Sequence, residues 1–227
     1  MKNFSSTLLL IIVCLTVQSQ NPTNSGNLSD GFKITRSSPK GDPFLSSEWY
    51  VGYGINKDGS TTRPQQMNYD IYGNNLVYKT GTNGEPMKLL DDSMSGFILK
   101  DKNTELLFSK IEGSKFEKTK REDRYYHVVS PPSNYVIVEY IKDLNDPNAS
   151  GWVSSKDNTL SAEYELDTNY YILNRADQYV EVRLKRNHIL KALKDRKDQL
   201  KTYIDSNNID FESILDLVKI LEYYYTL

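Results

Sequence analysis

From residue 44 to about residue 184, apolar side chains alternate with polar ones in short runs, and clusters of Gly, Asn, Asp or Pro end each run. A period of two puts alternate side chains on opposite faces of a strand, and the clusters supply the turns. Residues 48–55 lead into Asn56-Lys57-Asp58-Gly59, a hairpin-type turn. Strands are predicted over 66–72, 76–79, 87–90, 97–99, 106–108, 125–129, 135–141, 160–166, 170–173 and 179–184. No helix-length periodic segment separates them, which argues against a parallel βαβ sheet. The spacing is that of an antiparallel sandwich or barrel-like body. Residues 112–124 and 143–158 break the alternation and are predicted to be solvated loops, the second around Trp152.

The period changes after Leu184. Leu190, Leu193, Leu200 and Ile204 recur at helical spacing, with Asn187 as the expected N-cap. A second helix is predicted after Asp210, with Ile209 and Ile214 as a staple and Ile214, Leu217, Val218 and Leu221 as its stripe. Residues 185–205 carry a net charge of +4 and residues 206–227 one of −3, so the two helices are expected to face each other through opposite charges. The fold class predicted is therefore α+β, mainly β, closed by an antiparallel helical pair over 186–227.

The N-terminus carries a different message. Lys2 precedes a mostly apolar stretch, residues 8–17, that is about half the ~20 residues a spanning helix needs. Val17-Gln18-Ser19 then resembles the small-residue cut site of an export signal. Residues 1–19 are thus expected to be removed, and 20–43, rich in Asn, Ser and Gly, to form a leader. The folded part would run from 44 to 227 as one domain. Export makes the address periplasmic or outer-membrane associated, with no transmembrane segment in the processed chain. Cys14 is the only cysteine and falls inside the signal. A lipoprotein reading needs a small residue before it, where Val13 stands. Without Cys14 the processed chain has neither a disulfide nor a catalytic thiol.

The tail resembles a family. Leu190-Lys191-Ala192-Leu193-Lys194-Asp195-Arg196-Lys197, then Tyr203-Ile204-Asp205-Ser206-Asn207-Asn208, then Leu217-Val218-Lys219-Ile220-Leu221-Glu222-Tyr223-Tyr224 is similar to the Lys-rich ending of uncharacterised exported proteins of the Bacteroidota. Upstream, Asn68-Tyr69-Asp70-Ile71-Tyr72 and Tyr170-Tyr171-Ile172 fit the same likeness. It implies an envelope protein with a strand-rich body and a helical tail, and it carries no catalytic residue and no cofactor. Tyr225 departs from that ending, which usually has Asn.

Composition removes further classes. Lys and Arg number 28 against 30 acids, which argues against bulk attraction to nucleic acid. The two histidines, His127 and His188, belong to no zinc motif. The loop Asp143, Asn145, Asp146, Asn148, Gly151 fails the calcium pattern at Pro147. No G-x-S-x-G elbow or phosphate loop occurs. Glu163 and Glu165, two apart on one strand, read as acids of a solvated face rather than a glycosidase pair.

No catalytic, cofactor or metal residue is therefore assigned. The reading is a non-enzymatic interaction or assembly factor of the envelope, with a carbohydrate-binding module as its alternative. The partner is an envelope protein or a glycan. The contact residues expected are Trp152, Trp49 and Tyr53, together with Lys191 and Lys194 of the basic helix.

Overall fold

The computed structural model describes residues 38–81, 84–89, 93–102, 104–147 and 161–227. Ten strands form one antiparallel sheet: β1 (Tyr50–Asn56), β2 (Gln65–Asp70), β3 (Asn75–Lys79), β4 (Met87–Lys88), β5 (Met94–Asp101), β6 (Thr104–Ile111), β7 (Arg124–Ser130), β8 (Ser133–Asn145), β9 (Glu163–Leu173) and β10 (Tyr179–Val182). Their order is β10-β9-β8-β7-β6-β5-β1-β2-β3-β4. All but one of the neighbouring pairs are consecutive strands, as the turn-punctuated sequence predicts. The exception is β1, which pairs with β5 across the β2–β4 excursion. The sheet is open, with β10 and β4 as its edges.

The sheet is nonetheless rolled. Backbone Lys40 is bonded to β9 through Ala162 and Tyr164, and Leu45 donates to Tyr69 of β2. Those two strands lie six steps apart in the sheet, about 29 Å if it were flat. Five residues of extended chain reach only about 17 Å. The segment can bridge both strands only because the sheet curls. Rings of β2 and β7 confirm this: Tyr69 and Tyr125 stand four steps apart, yet their centroids are 6.0 Å apart. The bonded segment begins at Lys40, so the end of the stretch whose composition suggests a leader joins the sheet.

Rolling buries the concave face. Tyr69, Phe97 and Phe108 are fully buried there, with Met67, Met94 and Leu99 beside them. Phe97 and Phe108 stack at 4.7 Å across β5 and β6, whose backbones approach closely at Gly96. A side chain at Gly96 would run into the carbonyl of Phe108.

The tail seals the other half of the concave face. It holds three helices, α1 (Arg186–Ala192), α2 (Lys197–Ser206) and α3 (Ile214–Thr226), rather than two. A 3-10 turn over Lys194–Arg196 divides the first predicted helix. Ile189, Leu190, Leu193, Leu200, Ile204, Leu217 and Leu221 pack with Val136, Ile172 and Val182 of the sheet. The caps differ from expectation. Lys185, not Asn187, precedes α1 and gives no side-chain bond. Ser213, not Asp210, caps α3, accepting from the Asp216 amide. Asp210 instead accepts from the Glu212 amide in a tight turn. Among the described residues no ion pair forms the expected charge seam: the tail's pairs join Arg186 to Asp205, Asp198 to Lys201 and Asp216 to Lys219, each within one of the two predicted helices or its flank. Tyr203 stacks on Tyr223 at 4.1 Å between α2 and α3 instead. Ring stacking and aliphatic burial do there what exposed charges do weakly.

Several strands are longer than predicted, among them β5 and β6 at eight residues each against three expected. β8 extends through Asp143 to Asn145, into the region read as loop. β9 joins the two strands predicted at 160–166 and 170–173, because its Asp167 stands exposed and needs no break. Among the described residues no helix is long and apolar enough to cross a membrane.

Candidate functional site

The convex face of β7–β10 is covered by the β6–β7 connection, residues 112–123, and here the charged sequence misleads. The segment is closed on itself. The Lys120 amide donates to the Gly113 carbonyl at 3.0 Å, and the Gly113 amide donates to the Asp123 carboxylate at 3.1 Å. Gly113 is required by this closure, since a Cβ there would collide with the Lys120 carbonyl. The closed segment then docks as an added edge: Phe116 bridges to Tyr179, and the Glu117 amide donates to the Tyr179 carbonyl at 3.0 Å.

Phe116 is the apolar anchor. It is 2% exposed and meets the rings of Tyr126, Tyr171 and Tyr179 at 5.0, 5.1 and 5.5 Å. Lys120 is the polar anchor. Its ammonium lies 2.6 Å from Glu139 Oε2 and donates to the Tyr171 hydroxyl at 2.8 Å. The same ammonium sits over three rings, at 4.5 Å from Tyr171, 4.9 Å from Phe116 and 5.3 Å from Tyr126. Arg124 Nε stands 3.7 Å from the other oxygen of Glu139. Glu139 is only 4% exposed, so these cations, together with the hydroxyl that Tyr171 donates to it at 2.8 Å, compensate a charge that water no longer solvates. Burial pushes the phenols of Tyr126 and Tyr171 well above their ordinary range. The negative charge of Glu139 adds to this, so both stay neutral. The Tyr126 hydroxyl is buried and has no hydrogen-bond partner.

Two open cavities lie on this face; Phe116 lines the smaller, and Tyr179 lines both. The larger, about 340 Å³, has a floor of Ile111, Val128, Leu173 and Tyr179 and a rim that includes Lys110, Glu112 and the Lys115–Asp177 ion pair. The smaller, about 90 Å³, lies beside Lys120 between Tyr171, Glu117 and Glu181. An apolar floor with a few charged groups at the rim suits recognition of a partly apolar ligand. Sequence reasoning missed this site. The one available signal was Phe116, an aromatic residue alone in a charged run that otherwise reads as solvated.

Of the residues expected from the sequence, those described fall in two places, Trp49 and Tyr53 at β1 and Lys191 and Lys194 on the tail. Trp152 lies outside the described residues. Trp49 is half-buried at the start of β1, edge-on to Phe44 at 5.7 Å, with the Lys79 ammonium 4.4 Å over its ring. That cation covers a face a sugar would need. Tyr53 is half-buried on β1 with Lys100 5.6 Å above it. Lys191 and Lys194 are exposed on the tail, whose helices pack against β7, β8 and β10 rather than β1. Glu163 and Glu165 share one exposed face of β9, and Glu165 accepts from Asn145 at 3.1 Å. Among the described residues no group of three or more His, Cys, Asp or Glu is placed to hold a metal.

His127 points into the concave core, 3.1 Å from the Tyr140 hydroxyl. Burial alone holds its pKa down to about 4. The unfolded chain takes up a proton near the ordinary value of about 6.5, while the folded chain resists until about pH 4. Stability from this group is therefore complete above about pH 6.5 and falls as the pH drops, by roughly 3 kcal/mol over the whole window. Urea midpoints at pH 7 and pH 4.5 should fall less for His127→Gln than for wild type. Equal falls would show that His127 is not held neutral by the fold.

Compared with known proteins, the chain matches no family model, no curated protein and no solved structure.

Proposed function

We propose that the chain is an exported, non-enzymatic interaction or assembly factor of the cell envelope, and that its recognition surface is the convex face around residues 112–123. The observation that supports this most is the pair of open cavities that share Tyr179 on this face. Glu139, the buried acid of the site, is engaged by Lys120, Tyr171 and Arg124, an arrangement that holds a segment in place rather than one that hands on a proton. The signal-like N-terminus and the likeness to exported Bacteroidota proteins support the address.

A photo-crosslinking residue placed at Lys110 or Asp177 should capture the same discrete envelope protein in living cells. The same probe at Val51, which is 52% exposed on β1, should not. Capture from Val51 alone would move the recognition surface to the other half of the sheet. No adduct from any of the three would remove the reading.

A carbohydrate-binding role is the second reading, and Tyr72 favours it: its ring is 54% exposed and rests edge-on against Tyr164 at 5.7 Å. Titration with envelope glycans should then quench tyrosine fluorescence in wild type and not in Tyr72→Ala.

A further inference from the structure

We propose that the aromatic and carboxylate seat holding Lys120 is a binding site for the lysine of a partner polypeptide, occupied in cis by the chain's own lysine. The inference rests on the reading of this face as the recognition surface, and it specifies the partner's chemistry.

The seat has what a primary ammonium requires. Phe116, Tyr126 and Tyr171 present ring faces, Glu139 supplies the opposite charge at 2.6 Å, and Tyr171 supplies a hydroxyl at 2.8 Å. Rings stabilise a cation most when water is excluded, and Glu139 and Tyr126 are both buried. The ring of Tyr126 is one wall of the seat, and its hydroxyl is buried without a hydrogen-bond partner. The occupant itself is not sealed in: the Lys120 side chain is 24% exposed, and the cavity beside it, lined by Glu117, Lys118 and Glu181 among others, is open to solvent. An incoming ammonium therefore has a route to the seat while Lys120 is still bound.

The approach to the seat is acidic. Asp143, Glu163, Glu165 and Asp167 follow Glu139 along the same convex face of β8 and β9, and all four are exposed. Asp143 and Glu165 stand directly opposite each other in the register. Like charges in that position repel, so a cationic chain laid along the strip relieves a cost of the free protein. A basic segment thus gains at the strip and inserts one lysine at its end. Lys120 is displaced into water, where its charged segment is soluble.

In a fold where Lys120 fills the seat most of the time, an external lysine binds with its affinity reduced by the vacant fraction. Tetralysine is the probe, with ε-acetylated tetralysine as its control. With the full wild-type chain, tetralysine should speed cleavage by a glutamate-specific protease after Glu117 and Glu122 several-fold, and the acetylated peptide should not. Lys120→Ala should bind tetralysine an order of magnitude more tightly than wild type. Glu163→Gln with Glu165→Gln, both on the surface, should weaken that binding without lowering stability. Lys120→Met, which keeps the aliphatic stem, serves if Lys120→Ala does not fold. Equal cleavage with both peptides, together with unchanged affinity in the Lys120 variant, would overturn the proposal. A partner crosslinked at Lys110 in that case would leave the recognition surface standing and remove only its lysine chemistry.

Discussion

A chain ended at Leu184 should lose cooperative unfolding altogether. The helices it lacks cover Val136, Ile172 and Val182, which are 0%, 0% and 5% exposed in the full chain, and the half-buried Tyr135, Tyr170 and Val180 around them. Each large apolar side chain returned to water costs about 1.5–3 kcal/mol, and a domain's whole stability is about 5–15 kcal/mol. Tyr225 also donates to the Leu173 carbonyl at 3.1 Å, so the β9–β10 turn loses an anchor. Near-ultraviolet circular dichroism should flatten, and a dye for exposed apolar surface should bind. A sharp thermal transition in the truncated chain would show that the helices are an appendage. Lys191→Ala and Lys194→Ala, both exposed, should by contrast move stability by no more than about 0.5 kcal/mol.

Replacing Glu139 by Ala should destabilise the protein by about 3 kcal/mol, the lower end of what breaking a buried ion pair costs. Lys120 and Arg124 would face each other without their common counter-charge, and the Tyr171 hydroxyl would lose its acceptor. The cost stops near that end because both cations are 24% exposed and can turn toward water. The loss should be local before it is global. Residues 112–123 should become sensitive to proteases at temperatures where the sheet is intact, and Lys120→Met in the same background should add little. Additive losses from the two substitutions would mean that the residues act separately.

The strand body was legible because its turns are written in Gly, Asn, Asp and Pro and its concave face in alternating aromatics. The 73–75 turn and the run Met67, Tyr69, Ile71 place β2 and β3 within a residue or two of their observed ends. The errors have common physical causes. Asp167 looked like a break in β9 because polarity marks both turns and solvent-facing strand, and local sequence does not separate them. The Ser213 cap was missed in favour of Asp210, which precedes the apolar stripe almost as well. The curl was not legible at all. It depends on Lys40 to Leu45 meeting strands about 25 and 120 residues away, and no local period carries that. The candidate site failed to show for a related reason. Glu139 reads as an outward residue on a strand and Lys120 as one cation among several in a charged run. Only the fold makes them a buried pair.

The roll makes one face of the sheet a core and leaves the other to bind. Spin labels at Tyr72→Cys and Tyr164→Cys, in the chain lacking residues 1–19, measure it most directly. The two rings are 5.7 Å apart across the mouth of the roll. A distance distribution centred at close range is expected, whereas a sheet lying flat would hold the labels six strands apart, at about 29 Å. A single peak at that longer distance would contradict the account.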